Sequence, residues 1–329
     1  MTQIGHYIAP SRRMNALGVH SLDYFALAVP DLEEARRYYA AFGLDVREQG
    51  DALHLYTYGN PHRWGVLTEG PRKALQHVSF GMFADDVERF SAHLQACGVQ
   101  RLDPPPGAES NGFWFHDPDG TLVELKVAEK SSPNAKSPVS LDSVPANQRG
   151  AAMRGGSALV QPRRMAHVLL FSRDVPRTIA FYSRVLGLRL SDEAGGVIAF
   201  LHGVHGSDHH MVAFAKSDGP GFHHCSWDVG GVNDIGVGAA QMADKGFSAG
   251  WGLGRHVLGS NYFHYVRDPW GSYCEYSCDI DYLSADHDWR GESHGMENSF
   301  YLWGPEPPKD FAFNHEASSD GKIRPDALN

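Results

Sequence analysis

The sequence predicts an α+β fold of paired βαβββ modules, arranged as two similar domains that each form a half-open barrel. Three observations predict it. LDYFALAVPDLEEARRYYAAFGLDV, from Leu22, and MAHVLLFSRDVPRTIAFYSRVLGLRL, from Met165, repeat one pattern of apolar strand, aspartate, amphipathic helix and glycine. Both halves then close on an Asp-Pro-x-Gly hairpin turn, in FWFHDPDGTLVELKV (113–127) and YFHYVRDPWGSYCEYSC (262–278). Matched residues also keep register. Their offset grows from 143 (Asp31 to Asp174) to 147 (His77 to His224) to 151 (Glu124 to Glu275), which two four-residue insertions explain.

Each element follows in order. Asp31 and Asp174 stand at helix N-caps, with Glu34 placed as in a capping box. Gly43 and Gly187 stand where a helix ends in the left-handed region. LQHVSFGM (75–82) and FHHCSWDV (222–229) are the middle strands, followed by helical patterns over 85–98 and 232–246. The segment 129–164 is rich in Ser, Pro, Ala and Gly without an apolar period, and reads as a linker or loosely packed excursion. The expected organisation is an amino-terminal domain (1–128), a linker (129–162), a carboxy-terminal domain (163–282) and a tail (283–329). The tail carries Trp289, Phe300, Tyr301 and Trp303, and is expected to cover the pocket and to be disordered from about Ala317.

With 329 residues, 42% hydrophobic and 21% charged, the chain has globular composition. A formal net charge of -10 argues against nucleic acid or an anionic membrane as partner. No apolar run is long enough to span a bilayer, and the first residues lack the apolar core of a signal peptide. Cys97, Cys225, Cys274 and Cys278 form no CxxC pair and no disulfide framework, so a reducing cytoplasm is the expected location. Cys225, Cys274 and Cys278 read as small packing groups.

Nineteen histidines make the count unusual. Superposing the repeats brings His167, His224 and Glu275 of the second half onto three separate strands, against Tyr24, His77 and Glu124 of the first. Two imidazoles and one carboxylate form the facial set that suits non-heme Fe(II) and leaves coordination positions open. The first half has lost one imidazole and reads as an empty relative. His223 sits beside His224, where the first repeat has Gln76, so strict alternation turns it away from the metal and leaves it to border the pocket rim or to bond a neighbouring strand. The same argument on a strand through HHMVAF selects His210 over His209. His264 should point away from Tyr265, and His202 and His205 read as solvated loop residues.

MAHVLLFSRDVPRTIAFYSRVLGL, HHMVAFAKSDGPGFHHCSWDV and GRHVLGSNYFHYVRDPWGSYCEYS resemble the catalytic module of the type I extradiol catechol dioxygenases, of the vicinal oxygen chelate superfamily. The resemblance covers 20–127 and 163–282. It implies His167, His224 and Glu275 as metal ligands for Fe(II), or for Mn(II), which accepts the same donors. It implies His210 as the acid–base histidine, His256 as a histidine contacting bound catecholate or oxygen, and Tyr265 as a donor to the substrate oxygen. Phe200 is implied as a pocket wall. Leu169 shares the face of His167, and Trp251 lies upstream of Arg255, which favours an uncharged, alkyl- or aryl-substituted catechol. The expected activity is insertion of both atoms of O2 beside the diol, giving a muconic semialdehyde-type product. Expected partners are the catechol, O2 and further copies of the chain. Two other readings share the fold: a glyoxalase-like isomerase or thiol transferase, and a non-enzymatic ligand-binding protein.

Overall fold

The computed structural model describes residues 10–108, 110–141, 143–153 and 155–317. The chain end expected to be disordered lies outside these residues from 318 onward. The first half runs β1 (Ser21–Val29), α1 (Leu32–Ala41), β2 (Asp45–Gln49), β3 (Ala52–Tyr56), β4 (Gly65–Glu69), β5 (Ala74–Met82), α2 (Val87–Ala96), β6 (Phe113–His116) and β7 (Leu122–Val127). The second runs β8 (Arg164–Ser172), α3 (Val175–Leu186), β9 (Arg189–Ala194), β10 (Ile198–His202), β11 (Ser207–Asp208), β12 (Val212–Lys216), β13 (Gly221–Asp228), α4 (Val232–Asp244), β14 (Gly250–Arg255), β15 (Tyr262–Arg267), β16 (Tyr273–Cys278), β17 (Tyr282–Leu283) and β18 (Glu292–His294).

β11 and β17 pair separately, and in the two large sheets the strand order is β2-β3-β4-β1-β5-β7-β6 and β14-β15-β16-β13-β8-β12-β10-β9-β18. Read in opposite directions, they are one arrangement, extended in the second half by β14 and β18. Each sheet is itself two modules joined at an antiparallel central pair, β1 with β5 and β8 with β13. Outside that pair the neighbours β4, β7, β12 and β16 run parallel to it.

The helix punctuation follows the sequence. Asp31 and Asp174 accept from the backbone N–H groups of Glu34 and Arg177 at 2.9 and 3.0 Å. The Glu34 carboxylate, placed for the return bond of a capping box, instead pairs with Arg37. At Gly43, where φ is 97°, a Cβ would lie 2.0 Å from the Val160 carbonyl oxygen, so glycine is required twice over.

The halves pack on each other through aromatic groups. Phe42 stacks on Tyr276 at 3.9 Å, and the Tyr276 and Tyr38 hydroxyls donate to the Phe42 and Val266 carbonyls. Among the described residues of 129–163 there is no helix or strand, but Ser131 and Ser132 are tied to the Ser21 hydroxyl through their N–H groups. No helix among the described residues is long and apolar enough to cross a membrane.

Candidate active site

Register alone brings three donors together. His167 on β8 and Glu275 on β16 both lie opposite Ser226 of β13, and His224 stands two residues before it on the same face. His167 Nε2 is 3.2 Å from His224 Nε2 and 3.3 Å from Glu275 Oε2, and His224 Nε2 is 3.8 Å from that oxygen. All three side chains are buried.

A cation fits this set on the chemistry of its atoms. Glu275 Oε2 is buried and accepts no hydrogen bond of good geometry, while two imidazole nitrogens face it. Burial pushes the Glu275 carboxyl up, but His167 beside it holds it well below the usual carboxylate range. Burial, and then the His223 ring, push His224 well below the usual imidazole range. An ionised carboxylate and a neutral imidazole are the forms that bind a metal.

The network also assigns the tautomer of His224. The Phe311 carbonyl can only accept, so His223 Nε2 donates to it at 2.6 Å. His223 Nδ1 then accepts from His224 Nδ1–H, also at 2.6 Å. The lone pair of His224 is left on Nε2, toward His167 and Glu275. Of the two places left to His223, the structure takes the pocket border. The β8–β13 pairing slips between Phe222 and His224, and this bulge carries His223 into the pocket wall.

A pocket opens over the three donors. His210, His256 and Tyr265 line it, as do Leu169, Phe200 and Trp251. No Lys or Arg is among its lining residues. His210 lies with its ring 4.0 Å from that of His167, and burial pushes it well below the usual imidazole range. His256 donates through Nδ1 to the Phe300 carbonyl, so its Nε2 accepts the Tyr265 hydroxyl at 3.0 Å. Burial and the nearby Glu275 raise the Tyr265 phenol well above its usual value, so it keeps its proton. Trp251 stacks on Tyr265 and donates to the Pro305 carbonyl at 2.7 Å.

Other expectations need correction. The strand expected through HHMVAF begins only at Val212; His209 and His210 sit in the bend before it, both buried, with their Nδ1 atoms 3.1 Å apart. His202 and His205 are buried rather than solvated. His202 bonds the Ser191 hydroxyl, and His205 bonds the Gly18 carbonyl and the Arg13 N–H. His202 closes β10, and the loop holding His205 packs against the first half, which its glycines did not reveal. Alternation does hold at His264, which stays out of the pocket while Tyr265 enters it. Cys225, Cys274 and Cys278 are buried free thiols.

Sequence reasoning missed several neighbours of the site. Asn261 donates to Glu275 Oε1 at 3.1 Å and to the Ser277 hydroxyl at 2.9 Å. Ile198 could have been found by alternation from Phe200. Of the tail aromatics, Phe300 lines the pocket and Tyr301 packs against Trp251, whereas Trp289 and Trp303 lie elsewhere, each partly exposed. Phe311, which closes the pocket beside His223, carried no sequence signal.

Comparison with known proteins agrees with this architecture. The family model of the Glyoxalase/Bleomycin resistance protein/Dioxygenase superfamily matches residues 21–125 and 164–276. The chain belongs to that superfamily. It is 48% identical over 299 residues to Metapyrocatechase 2 of Cupriavidus necator, covering 91% of this chain and 93% of that one. It is 25% identical over 304 residues to the manganese-dependent 2,3-dihydroxybiphenyl 1,2-dioxygenase of Geobacillus genomosp. 3, covering 86% and 93%. Among solved structures, an extradiol ring-cleaving dioxygenase from B. fuscum superposes with a TM-score of 0.72 at 22% identity, over 98% of this chain and 88% of that one.

Proposed function

We infer that this protein is a metal-dependent extradiol dioxygenase that opens a catechol ring beside the diol with both atoms of O2. The observation that carries the reading is the bare, buried Glu275 Oε2 facing the nitrogens of two imidazoles that line an apolar pocket. The 48% identity to a metapyrocatechase supports it. A glyoxalase-like site would need donors from both halves, and the first half offers Tyr24, a His77 already bonded to it and a Glu124 satisfied at both oxygens.

His167, His224 and Glu275 would hold the metal, which we assign as Fe(II). Mn(II) suits the same donors, and a manganese-dependent relative exists. When bound, such a metal would supply a positive centre for the diol and O2 and would lower the cost of deprotonating the diol. The chain supplies the rest. His210 takes and returns a proton at the pocket. The Tyr265 hydroxyl, now donated to His256, is placed to donate to a substrate oxygen, with His256 as its acceptor before binding. Leu169, Phe200 and Trp251, with Phe300 and Phe311 of the tail, hold the ring and keep water out. A pocket wall without Lys or Arg favours an uncharged, alkyl- or aryl-substituted catechol over a carboxylated one.

Exposed Leu141, Met153 and Leu159 on the connecting segment fit self-association. The buried thiols of Cys225 and Cys274, 3.4 Å apart and unjoined, fit a reducing compartment such as the cytoplasm.

Anaerobic loading with Fe(II) or Mn(II), followed by catechol, 3-methylcatechol, 2,3-dihydroxybiphenyl or a carboxylated catechol with O2, tests the reading. The expected result is stoichiometric O2 uptake and a yellow semialdehyde, fastest with Fe(II) and an uncharged diol. No O2 uptake across the panel refutes it.

A further inference from the structure

His209 and His210 repeat the arrangement of His223 and His224: adjacent histidines joined Nδ1 to Nδ1, the first anchored to an outside acceptor, the second facing the site. For His209 the anchor is a carboxylate. Asp192 Oδ2 lies 2.8 Å from His209 Nε2, while its Oδ1 accepts from the Glu292 N–H at 3.2 Å and from His294 Nε2 at 2.9 Å.

The position is built rather than incidental. Asp192 stands opposite Phe200 in the β9–β10 pairing, and Phe200 borders both imidazoles. The pairing slips just beyond it, leaving Ser191 to donate its hydroxyl to the His209 carbonyl. Trp289 stands edge-on to the His209 ring and donates to the Ser191 carbonyl at 2.8 Å. His209 is buried on all sides and does not line the pocket.

We infer that Asp192 and His209 are positioning residues that fix the tautomer of His210, making its Nε2 the bare nitrogen that takes a proton from the bound diol. An ionised carboxylate only accepts, so His209 donates to it through Nε2–H, and a His209 carrying that single proton offers a lone pair at Nδ1. His210 must then donate through Nδ1–H, and the proton it can gain goes to Nε2. When the diol hydroxyl gives up its proton there, His210 becomes imidazolium. Its Nδ1–H bond to His209 strengthens, and the Asp192 charge stabilises the pair without itself taking a proton. The inference rests on the ring-cleavage reading.

Asp192→Asn tests it in the full-length, Fe(II)-loaded enzyme. The Glu292 and His294 donors hold the amide oxygen, which turns the amide N–H2 toward His209. That reverses both tautomers and puts a proton on His210 Nε2. With metal content unchanged and KM within about threefold, turnover of catechol should fall by about 10²-fold, the size of a general-base contribution. With 4-nitrocatechol, whose hydroxyl ionises near neutral pH, the loss should shrink to about tenfold or less. Equal losses on the two substrates, or no loss, would overturn the inference. Loss of activity with loss of metal would also overturn it.

¹⁵N spectra of histidine-labelled chain loaded with Zn(II) read the tautomers without turnover. His210 protonated at Nδ1 in the unaltered protein supports the inference, and His210 protonated at Nε2 overturns it, even if the Asp192 variant does not fold. An unaltered enzyme that cleaves no catechol would remove the ring-cleavage reading and leave the tautomer result standing by itself.

Discussion

The two halves hold the same three strand positions, and one difference in hydrogen bonding separates them. In the first half Glu124 is satisfied at both oxygens. The Ser79 hydroxyl donates to Oε2 at 2.6 Å, and the Ser110 hydroxyl donates to Oε1. Tyr24 takes the place of an imidazole, bonds His77 Nε2 at 3.0 Å and lies under the Arg63 and Lys126 side chains at 4.7 and 4.9 Å. In the second half Ser226, the equivalent of Ser79, makes no hydrogen bond, and Glu275 Oε2 stays bare. A buried, unpartnered carboxylate oxygen costs a few kcal/mol. The first half has removed that cost with its own hydroxyls and cations, whereas the second keeps it, as a site built for a cation must.

Glu275→Gln should break the comparison hardest. Loss of the only anionic donor should abolish stoichiometric metal and lower turnover by more than about 10³-fold. Glu124→Gln should leave metal content and turnover unchanged and cost only about 1–3 kcal/mol of stability, from its two serine bonds. Metal analysis and denaturant titration of the two variants decide this. Equal effects would mean that the halves are not divided as we describe. His210→Phe sharpens the same line: metal should stay bound while turnover falls by about 10²–10⁴-fold. Unchanged turnover would refute an acid–base role for His210.

The repeat, the helix caps, the hairpins and the three donors were legible because each rests on local spacing or on the period of a strand. What could not be read came from departures from that period and from distant packing. The bulge at His223 breaks alternation by one residue, and nothing in FHHCSWDV marks it. Burial of His205 depends on contacts with residues 13 and 18, nearly two hundred positions away, and that of His202 on the register that sets Ser191 beside it. Asp192 and Phe311 owe their places to the register of β9 with β10 and to the path of the tail.

Some consequences should fall on both halves alike. Burial lowers His20 to about 3 and His77 to about 4 in the first half, and His202 to about 3 and His205 to about 4 in the second. Below about pH 6.5 the unfolded chain takes up protons at these groups and the folded chain does not. Stability is therefore fully present above pH 6.5 and falls as pH drops toward 4, by up to about 3 kcal/mol per group. Thermal unfolding of the metal-free protein from pH 7.5 to 4.5 should show Tm falling steadily. A flat profile would contradict the burial of these imidazoles.

His223 divides the halves more finely, because the first half has Gln76 in its place. His223→Phe removes the acceptor that holds the His224 proton on Nδ1, and should weaken metal binding by about 10–100-fold. Gln76→His, on an exposed position of the half with no bare carboxylate, should change nothing. Metal titration monitored by competition with a chelator separates the two outcomes. Equal affinity in the His223 variant would show that the tautomer of His224 is fixed without it.

The smallest expected effect is the most direct test of why the first half is silent. If the missing imidazole were the whole difference, Tyr24→His would complete a second set of two histidines and a carboxylate. We expect it to bind no second metal ion. Glu124 would remain committed to Ser79 and Ser110, and Arg63 and Lys126 would still lie over the position. Their like charge opposes a cation, and they already help burial to push His77 down to about 4. Adding Ser79→Ala and Ser110→Ala to Tyr24→His would strip both hydroxyls from the carboxylate, and only that triple variant should take up a second equivalent, weakly. A second equivalent bound by Tyr24→His alone would show that donor identity, and not the state of the carboxylate, divides the two halves.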